Sequence, residues 1–321
     1  ADLSQRQPRP EHQAEIRILD GEVAAAGAER TRSSRIERVR VGQDVVGVER
    51  GRDRNAELLD QLQKGGMTVA DAHTAAHHDG VDDRVAIEEP LEIRVGGEAL
   101  AVTMRTPGHD EELAVGFLVS EGLIAPGPTV TGPPADLAAN IVEVAAELMR
   151  RPDARRFYAT SSCGICGKGA LEEVAVLAAP LPPVAAGPRV ARALLADLPD
   201  RLEQPGFAAT GGLHATGLFT PDGELLLVRE DVGRHNAMDK VIGRRALDTA
   251  LPLHGLVLCV SGRLSFELVQ KAVVAGAPVL VGAGAPTSLA IALAAERGLT
   301  LAGFARRGGV NVYSAPERVA G

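Results

Sequence analysis

Leu256-Val-Leu-Cys-Val260, Ser261-Gly-Arg-Leu-Ser265-Phe-Glu-Leu-Val-Gln-Lys271-Ala-Val-Val-Ala275 and Pro278-Val-Leu-Val-Gly282 follow one another with little between them. The first and last are apolar throughout rather than at alternate positions, so strands formed there are covered on both faces. Leu264 to Ala275 between them carries a helical pattern. The same alternation runs outward. Thr287 to Arg297 reads as a helix and Leu299 to Phe304 as a buried strand, while Asn236 to Leu247 is a helix upstream. Gly217-Leu-Phe-Thr-Pro-Asp-Gly-Glu-Leu-Leu-Leu-Val-Arg229 predicts two strands around a Pro-Asp-Gly turn. Buried strands alternating with helices define an α/β chain, a three-layer sandwich with a mixed, partly parallel sheet.

Nearer the N-terminus, Leu91-Glu-Ile-Arg-Val95 and Ala99-Leu-Ala-Val-Thr-Met104 alternate apolar and polar across Gly96-Gly97, a hairpin signal. Asp110 is placed to cap a helix that carries Leu113, Phe117 and Leu118 on one face and ends near Gly122. After a Pro- and Gly-rich loop (126–134) comes an apolar stretch from Ile141 to Leu148. A helix from Gly169 to Leu177, a linker from Pro180 to Pro188 and a helix from Val190 to Leu202 are expected next. Residues 1–83 differ, with eleven Arg and no Lys before Asn55 and few large apolar residues. They read as a loosely ordered extension. His73, His77 and His78 have helical spacing there but no neighbouring carboxylate or Cys to complete a metal site. The expected domain is 84–318, a small N-terminal β/α portion (84–188) followed by an α/β portion (189–318).

Composition narrows the function classes. The 321 residues are 45% apolar and 24% charged, an ordinary balance for a globular protein. No run approaches the roughly 18 apolar residues of a membrane span, and the polar start has no signal-peptide pattern. A cytoplasmic location without membrane partners is expected. The net charge of −8 gives no general attraction to nucleic acid, and 2% aromatics without Trp provide no stacking platform for bases. Only four of the 34 basic residues are Lys, which reflects a GC-rich genome rather than an Arg code. Three cysteines cannot staple a chain this long and fit a reducing compartment. Cys259, flanked by Leu and Val in a strand, reads as core.

The other two belong to Tyr158-Ala-Thr-Ser-Ser-Cys163-Gly-Ile-Cys166-Gly-Lys168-Gly-Ala170. Two Cys among three Gly and a Lys, just before a helix, describe an electropositive loop that favours thiolate over thiol. Three other uses compete. A zinc site would need two more ligands, and the next His is His214. A thioredoxin-like pair would sit in a different strand-helix order. A zinc deaminase would pair His109-Asp110-Glu111 with Pro-Cys-x-x-Cys, but Ser162 stands in place of the Pro.

Polar loops follow the strands. Asp231-Val-Gly233-Arg234-His235-Asn236 lies at a strand-to-helix junction and suits an anion, or is a charged loop with a capping Asn. Ser261-Gly262-Arg263-Leu-Ser265-Phe-Glu267 follows a buried strand, and Gly282-Ala-Gly284-Ala-Pro-Thr287-Ser288 is a third such loop. Strand ends facing helix starts are where α/β sheets bind ligands. Glu267 and Lys271, four apart, also fit a helix-surface pair. Phe304-Ala-Arg306-Arg307-Gly308-Gly309-Val-Asn311-Val-Tyr313 sets two guanidiniums beside two Gly, either a phosphate site or a hairpin turn.

Together these segments resemble the formate dehydrogenase accessory sulfurtransferases, the FdhD family. The resemblance rests on Thr106-Pro-Gly-His-Asp-Glu-Glu-Leu113, Ser162-Cys-Gly-Ile-Cys-Gly167, Gly211-Gly-Leu-His214, Asp231 to Asn236, Ser261 to Ser265 and Phe304 to Tyr313, in the family's order. It implies a cytidine-deaminase-like α/β fold without the deaminase zinc, and sulfur carried as a persulfide on Cys163. Cys166 would resolve that persulfide or hold the donor. A cysteine desulfurase would supply the sulfur. The acceptor would be the bis-molybdopterin guanine dinucleotide molybdenum cofactor of formate dehydrogenase, bound at Phe304, Ala305, Arg306, Arg307, Gly308 and Gly309. Arg263 and Arg234 would add to its phosphate contacts. The resemblance also implies a homodimer. A non-catalytic cofactor chaperone, which would not need Cys163, is the competing reading.

Overall fold

Gly96 and Gly97, with φ of 61° and 80°, form the left-handed pair that closes a tight hairpin. They join strand β1 (Glu89–Val95) to β2 (Glu98–Arg105) in antiparallel register, with one bulge at Ile93/Arg94. A computed structural model describes residues 84–131, 140–149, 181, 183–184 and 187–321. The expected extension over 1–83, the loop carrying Cys163 and Cys166, the helix 169–177 and part of the linker 180–188 lie outside the described residues. Strands β3 (Thr129–Thr131) and β4 (Ile141–Ala145) complete a four-stranded sheet in the order β2-β1-β4-β3, in which β1 and β4 run parallel. Leu91, Ile93, Val95, Val142 and Val144 are buried on one face of it, as the period-two pattern requires.

Helix α1 (Asp110–Ser120) follows β2 and is buried over most of its circumference, not along one stripe. Asp110 does not cap it. The position before the helix is His109, left-handed at φ 57°, and Asp110 is the first helical residue. The Asp110 carboxylate instead receives Arg105 at 3.0 and 2.8 Å. Arg105 is 1% exposed, and a buried guanidinium needs a counter-charge more than a helix end needs a cap.

Val190 to Leu202 is not a single helix. It divides into strand β5 (Val190–Ala191), a short helix α2 (Arg192–Asp197) and a 3-10 turn (Leu198–Arg201). Pro199 has no N–H to continue an α-helical ladder. Helix α3 (Pro205–Thr210) then leads to β6 (His214–Phe219) and β7 (Leu225–Asp231), which turn at Pro221-Asp222-Gly223 as read from the sequence.

The remainder alternates as expected: α4 (Arg234–Leu247), β8 (Val257–Val260), α5 (Phe266–Val274), β9 (Val279–Gly282), α6 (Ser288–Arg297) and β10 (Thr300–Arg306). The Thr287 hydroxyl caps α6 by accepting from Ala290 N at 3.3 Å. β11 (Gly309–Ser314) folds back on β10 through Arg307-Gly308, so the two-Arg segment is a hairpin turn. β12 (Val319–Ala320) pairs with β5.

The main sheet has the order β11-β10-β9-β8-β6-β7, parallel only at β10-β9-β8. Its residues alternate between two cores. Leu218, Leu258, Val260, Leu280 and Leu301 join one that includes Val241 and Ile242 of α4, Leu268 and Val269 of α5, and Leu293 of α6. Phe219, Val257, Cys259, Val279 and Val281 join another with Leu195 of α2 and Leu198. This two-sided burial is why the strands are apolar throughout. The architecture is an α/β sandwich with a mixed sheet. Among the described residues no helix is long and apolar enough to cross a membrane.

Candidate functional site

The first residues of β6 and the ends of β7, β8, β9 and β10 meet at one edge of the main sheet. Their loops continue the ladder beyond the strands. Ala283 N donates to Val260 O (3.2 Å), Gly284 N to Gly262 O (3.0 Å), Phe304 N to Gly284 O (3.0 Å) and Leu264 N to Ala285 O (3.0 Å). A Cβ on Gly284 would lie 2.8 Å from Gly262 O and 2.9 Å from Arg263 Cα. The glycines at strand ends therefore let loop backbones stack directly. The result is a rigid floor on which the side chains of three loops are held.

Basic side chains crowd that floor. His214 opens β6, Arg234 and His235 open α4, and Arg263 follows β8. A Cβ on Gly262 would lie 3.4 Å from His214 Nδ1 and 4.0 Å from Arg234 Cδ, so the ring and the guanidinium stem flank one glycine. Arg234 Nε is buried without a hydrogen-bond partner among the described residues. Partial burial and the neighbouring Arg263 lower the Arg234 pKa. Partial burial, then Arg234, His235 and Arg263, lower that of His214, with Asp231 opposing weakly.

The nearby carboxylates are engaged. His235 Nε2 lies 3.2 Å from Ser265 Oγ and 3.7 Å from Glu267 Oε2. The His235 ring holds the Glu267 carboxyl at about 2, against the upward push of its burial. Asp231 pairs with the buried Lys240 at 2.7 Å and accepts from Gly233 N at 2.8 Å and from Thr106 N at 3.2 Å. Lys240 also donates to Thr106 O at 2.9 Å, and Asn236 Nδ2 donates to Met104 O at 2.7 Å. Thr106-Pro-Gly-His109 is thereby clipped to the loop that presents Arg234. Asn236 is not a cap: it lies inside α4 and joins this clip. Glu230 fixes α3, accepting from Gly206 N (2.8 Å) and Phe207 N (2.7 Å), which sets the approach to His214.

The Phe304 segment lies at the same edge. Phe304, Arg306, Gly309, Val310 and Asn311 line a cavity of about 280 Å³. Phe304 is 45% exposed and held at φ 53°, a left-handed conformation costly for an aromatic residue. The other members of the segment divide by position. Ala305 is buried in the core, and Arg307 is exposed and reaches Asp200 at 3.1 Å. Gly308 turns the hairpin at φ 89°. Arg234 and Arg263 are not beside this cavity wall but on the neighbouring loops, with His214. In the sequence that ring is the end of Gly211-Gly-Leu-His214 and a remote candidate ligand for a zinc site, with nothing to assign it to the edge. Cys163 and Cys166 lie outside the described residues.

Glu267 and Lys271 do not form a surface pair. Lys271 is 4% exposed and meets Asp239 at 3.0 Å, Glu121 at 3.1 Å and Ser120 Oγ at 2.9 Å. In His109-Asp110-Glu111, Asp110 is taken by Arg105 and Glu111 is exposed.

Fold and site together define a mixed-sheet α/β domain with basic side chains gathered over a glycine-floored strand edge. Residues 86–320 match the FdhD/NarQ family. The sulfur carrier protein FdhD of Streptomyces coelicolor is 54% identical over 259 residues, covering 74% of this chain and 89% of that one. Its namesake in Mycobacterium tuberculosis is 45% identical over 276 residues, covering 79% of this chain and all of that one. A solved structure from Desulfotalea psychrophila, described as a candidate formate dehydrogenase accessory protein, superposes with a TM-score of 0.61 at 27% identity. The match covers 76% of this chain and 96% of that chain. The chain belongs to the FdhD/NarQ family.

Proposed function

We propose that this protein is a sulfur carrier and sulfurtransferase that serves formate dehydrogenase. Its likeness to relatives named sulfur carrier protein, along most of both chains, is the observation that carries the reading. Cys163 is the carrier. Its thiolate attacks the sulfane sulfur of a cysteine desulfurase persulfide, taking that sulfur and releasing the desulfurase thiolate, an exchange without net oxidation. Gly164, Gly167 and Lys168 around it supply the freedom and positive charge that a nucleophilic sulfur needs. Cys166 resolves the persulfide or holds the donor.

The acceptor is the bis-molybdopterin guanine dinucleotide molybdenum cofactor, bound as a substrate. Its pyrophosphates fit Arg234, whose Nε has no hydrogen-bond partner among the described residues, the neighbouring Arg263, and Arg306 at the wall of the Phe304 cavity. The family's cofactor segment corresponds to Phe304 through Gly309. The protein works in the cytoplasm as a homodimer.

Coexpression with formate dehydrogenase tests the reading. Cys163→Ala abolishes activation of the dehydrogenase while leaving guanine-nucleotide binding intact. Full activation by that variant makes the protein a cofactor chaperone instead.

A further inference from the structure

We propose that His214 is the proton-accepting member of the anion site at the sheet edge: it meets a phosphate oxygen as an imidazolium, taking one proton from solvent as the ligand binds. This rests on the reading that the edge holds a pyrophosphate group. His214 is half-buried at the start of β6, and its ring lies against Gly262 beside the Arg234 stem. Among the described residues its side chain has no hydrogen-bond partner; Ser261 Oγ accepts from Ala215 N at 2.9 Å.

The charges facing the ring come from three elements. Arg234 and His235 belong to α4, Arg263 to the loop after β8, and Asp231 to the end of β7. The one carboxylate among them is already satisfied by Lys240, Gly233 N and Thr106 N. Glu267, the next carboxylate, is held by His235. The ring therefore experiences a net positive field, which together with burial disfavours its protonation in the free protein. A dianionic pyrophosphate among the two guanidiniums reverses that field. The imidazole then gains a proton and donates it in a hydrogen bond to the bound oxygen. The ligand itself is unchanged, and the proton balance closes on the histidine. Binding linked to proton uptake weakens as pH rises, by up to about tenfold per pH unit between the free and bound midpoints.

The test uses the full chain and diguanosine 5′-diphosphate, in which two guanosines share a pyrophosphate diester that does not titrate near neutrality. Calorimetric titrations at pH 6, 7 and 8, each in two buffers of different protonation heat, count the protons taken up. Wild type takes up close to one proton and loses affinity as pH rises. His214→Gln binds with a flat pH profile and no uptake, while His254→Gln, at an exposed ring in the loop before β8, keeps the wild-type slope. An unchanged slope in His214→Gln, or wild-type binding without proton uptake, overturns the role of His214. No binding by wild type at any pH overturns the phosphate reading beneath it. Imidazole 15N shifts of wild type with and without the probe give an independent readout should His214→Gln not fold. The His214 midpoint rises on binding if the proposal holds and stays fixed if it fails.

Discussion

Gly116 of α1 and Gly243 of α4 lie backbone against backbone. A Cβ on Gly116 would fall 1.8 Å from Asp239 O and 2.8 Å from Gly243 N; one on Gly243 would fall 1.8 Å from Glu112 O and 2.7 Å from Gly116 N. No side chain can retreat to make room, because the obstructing atoms are main chain. The crossing joins the four-stranded sheet and α1 to the helices that cover the main sheet, and it places Thr106 over the Arg234 loop.

Gly116→Ala and Gly243→Ala should therefore each cost more than the about 1–3 kcal/mol usual for overpacking. Urea midpoints check this against Gly255→Ala, where an added methyl meets nothing within 4 Å. Equal shifts in all three variants would mean that the close crossing is dispensable.

Lys271 gives a second stability test. With Asp239 beneath it, Lys271→Met strands a buried carboxylate and should cost about 3–5 kcal/mol. Asp239→Asn added to Lys271→Met should recover a substantial part, measured by chemical unfolding as a double-mutant cycle. Strict additivity would contradict direct coupling.

Acid stability should depend on Glu112. Burial raises its pKa, but Arg229 at 2.6 and 2.8 Å, with His109 beside it, more than offsets this and leaves it at about 2. A depressed carboxyl pKa stabilises the fold above the unfolded-state value and loses that contribution as pH falls toward 2. Glu112→Gln should thus be less stable than wild type at pH 6 and should show a shallower loss between pH 4.5 and 2. Parallel stability-pH curves would refute the assignment.

The sequence made the main sheet legible because burial on both faces leaves no polar position in β8 or β9, and turn chemistry marked Gly96-Gly97 and Pro221-Asp222-Gly223. What it concealed depends on contacts distant in the chain. Lys271 looks like a surface residue until α1 brings Ser120 and Glu121 over it. Asp110 looks like a cap until Arg105 claims its carboxylate. At the candidate site the glycine loops and Arg234, Arg263 and Arg306 were readable from their positions after strands. The place of His214 was not, since it comes from the antiparallel register of β6 against β8 and not from any local pattern.

Phe304 and Arg306 should separate binding from stability. Phe304→Gly relieves a left-handed aromatic residue and should raise stability by about 1 kcal/mol while weakening guanine-nucleotide binding. Arg306→Ala should weaken binding by tenfold or more. Arg307→Ala should matter less, because that side chain is 88% exposed and turned to Asp200. Calorimetric affinities and thermal midpoints of the three variants check this. Equal losses for Arg306→Ala and Arg307→Ala would misplace the phosphate contact.

The central claim is sulfur carriage on Cys163, and intact-protein mass after incubation with a cysteine desulfurase and cysteine tests it most directly. Wild type should gain one sulfur atom, lost on reduction, and Cys163→Ala should gain none. The account is contradicted if wild type gains no sulfur, or if Cys163→Ala gains as much as wild type.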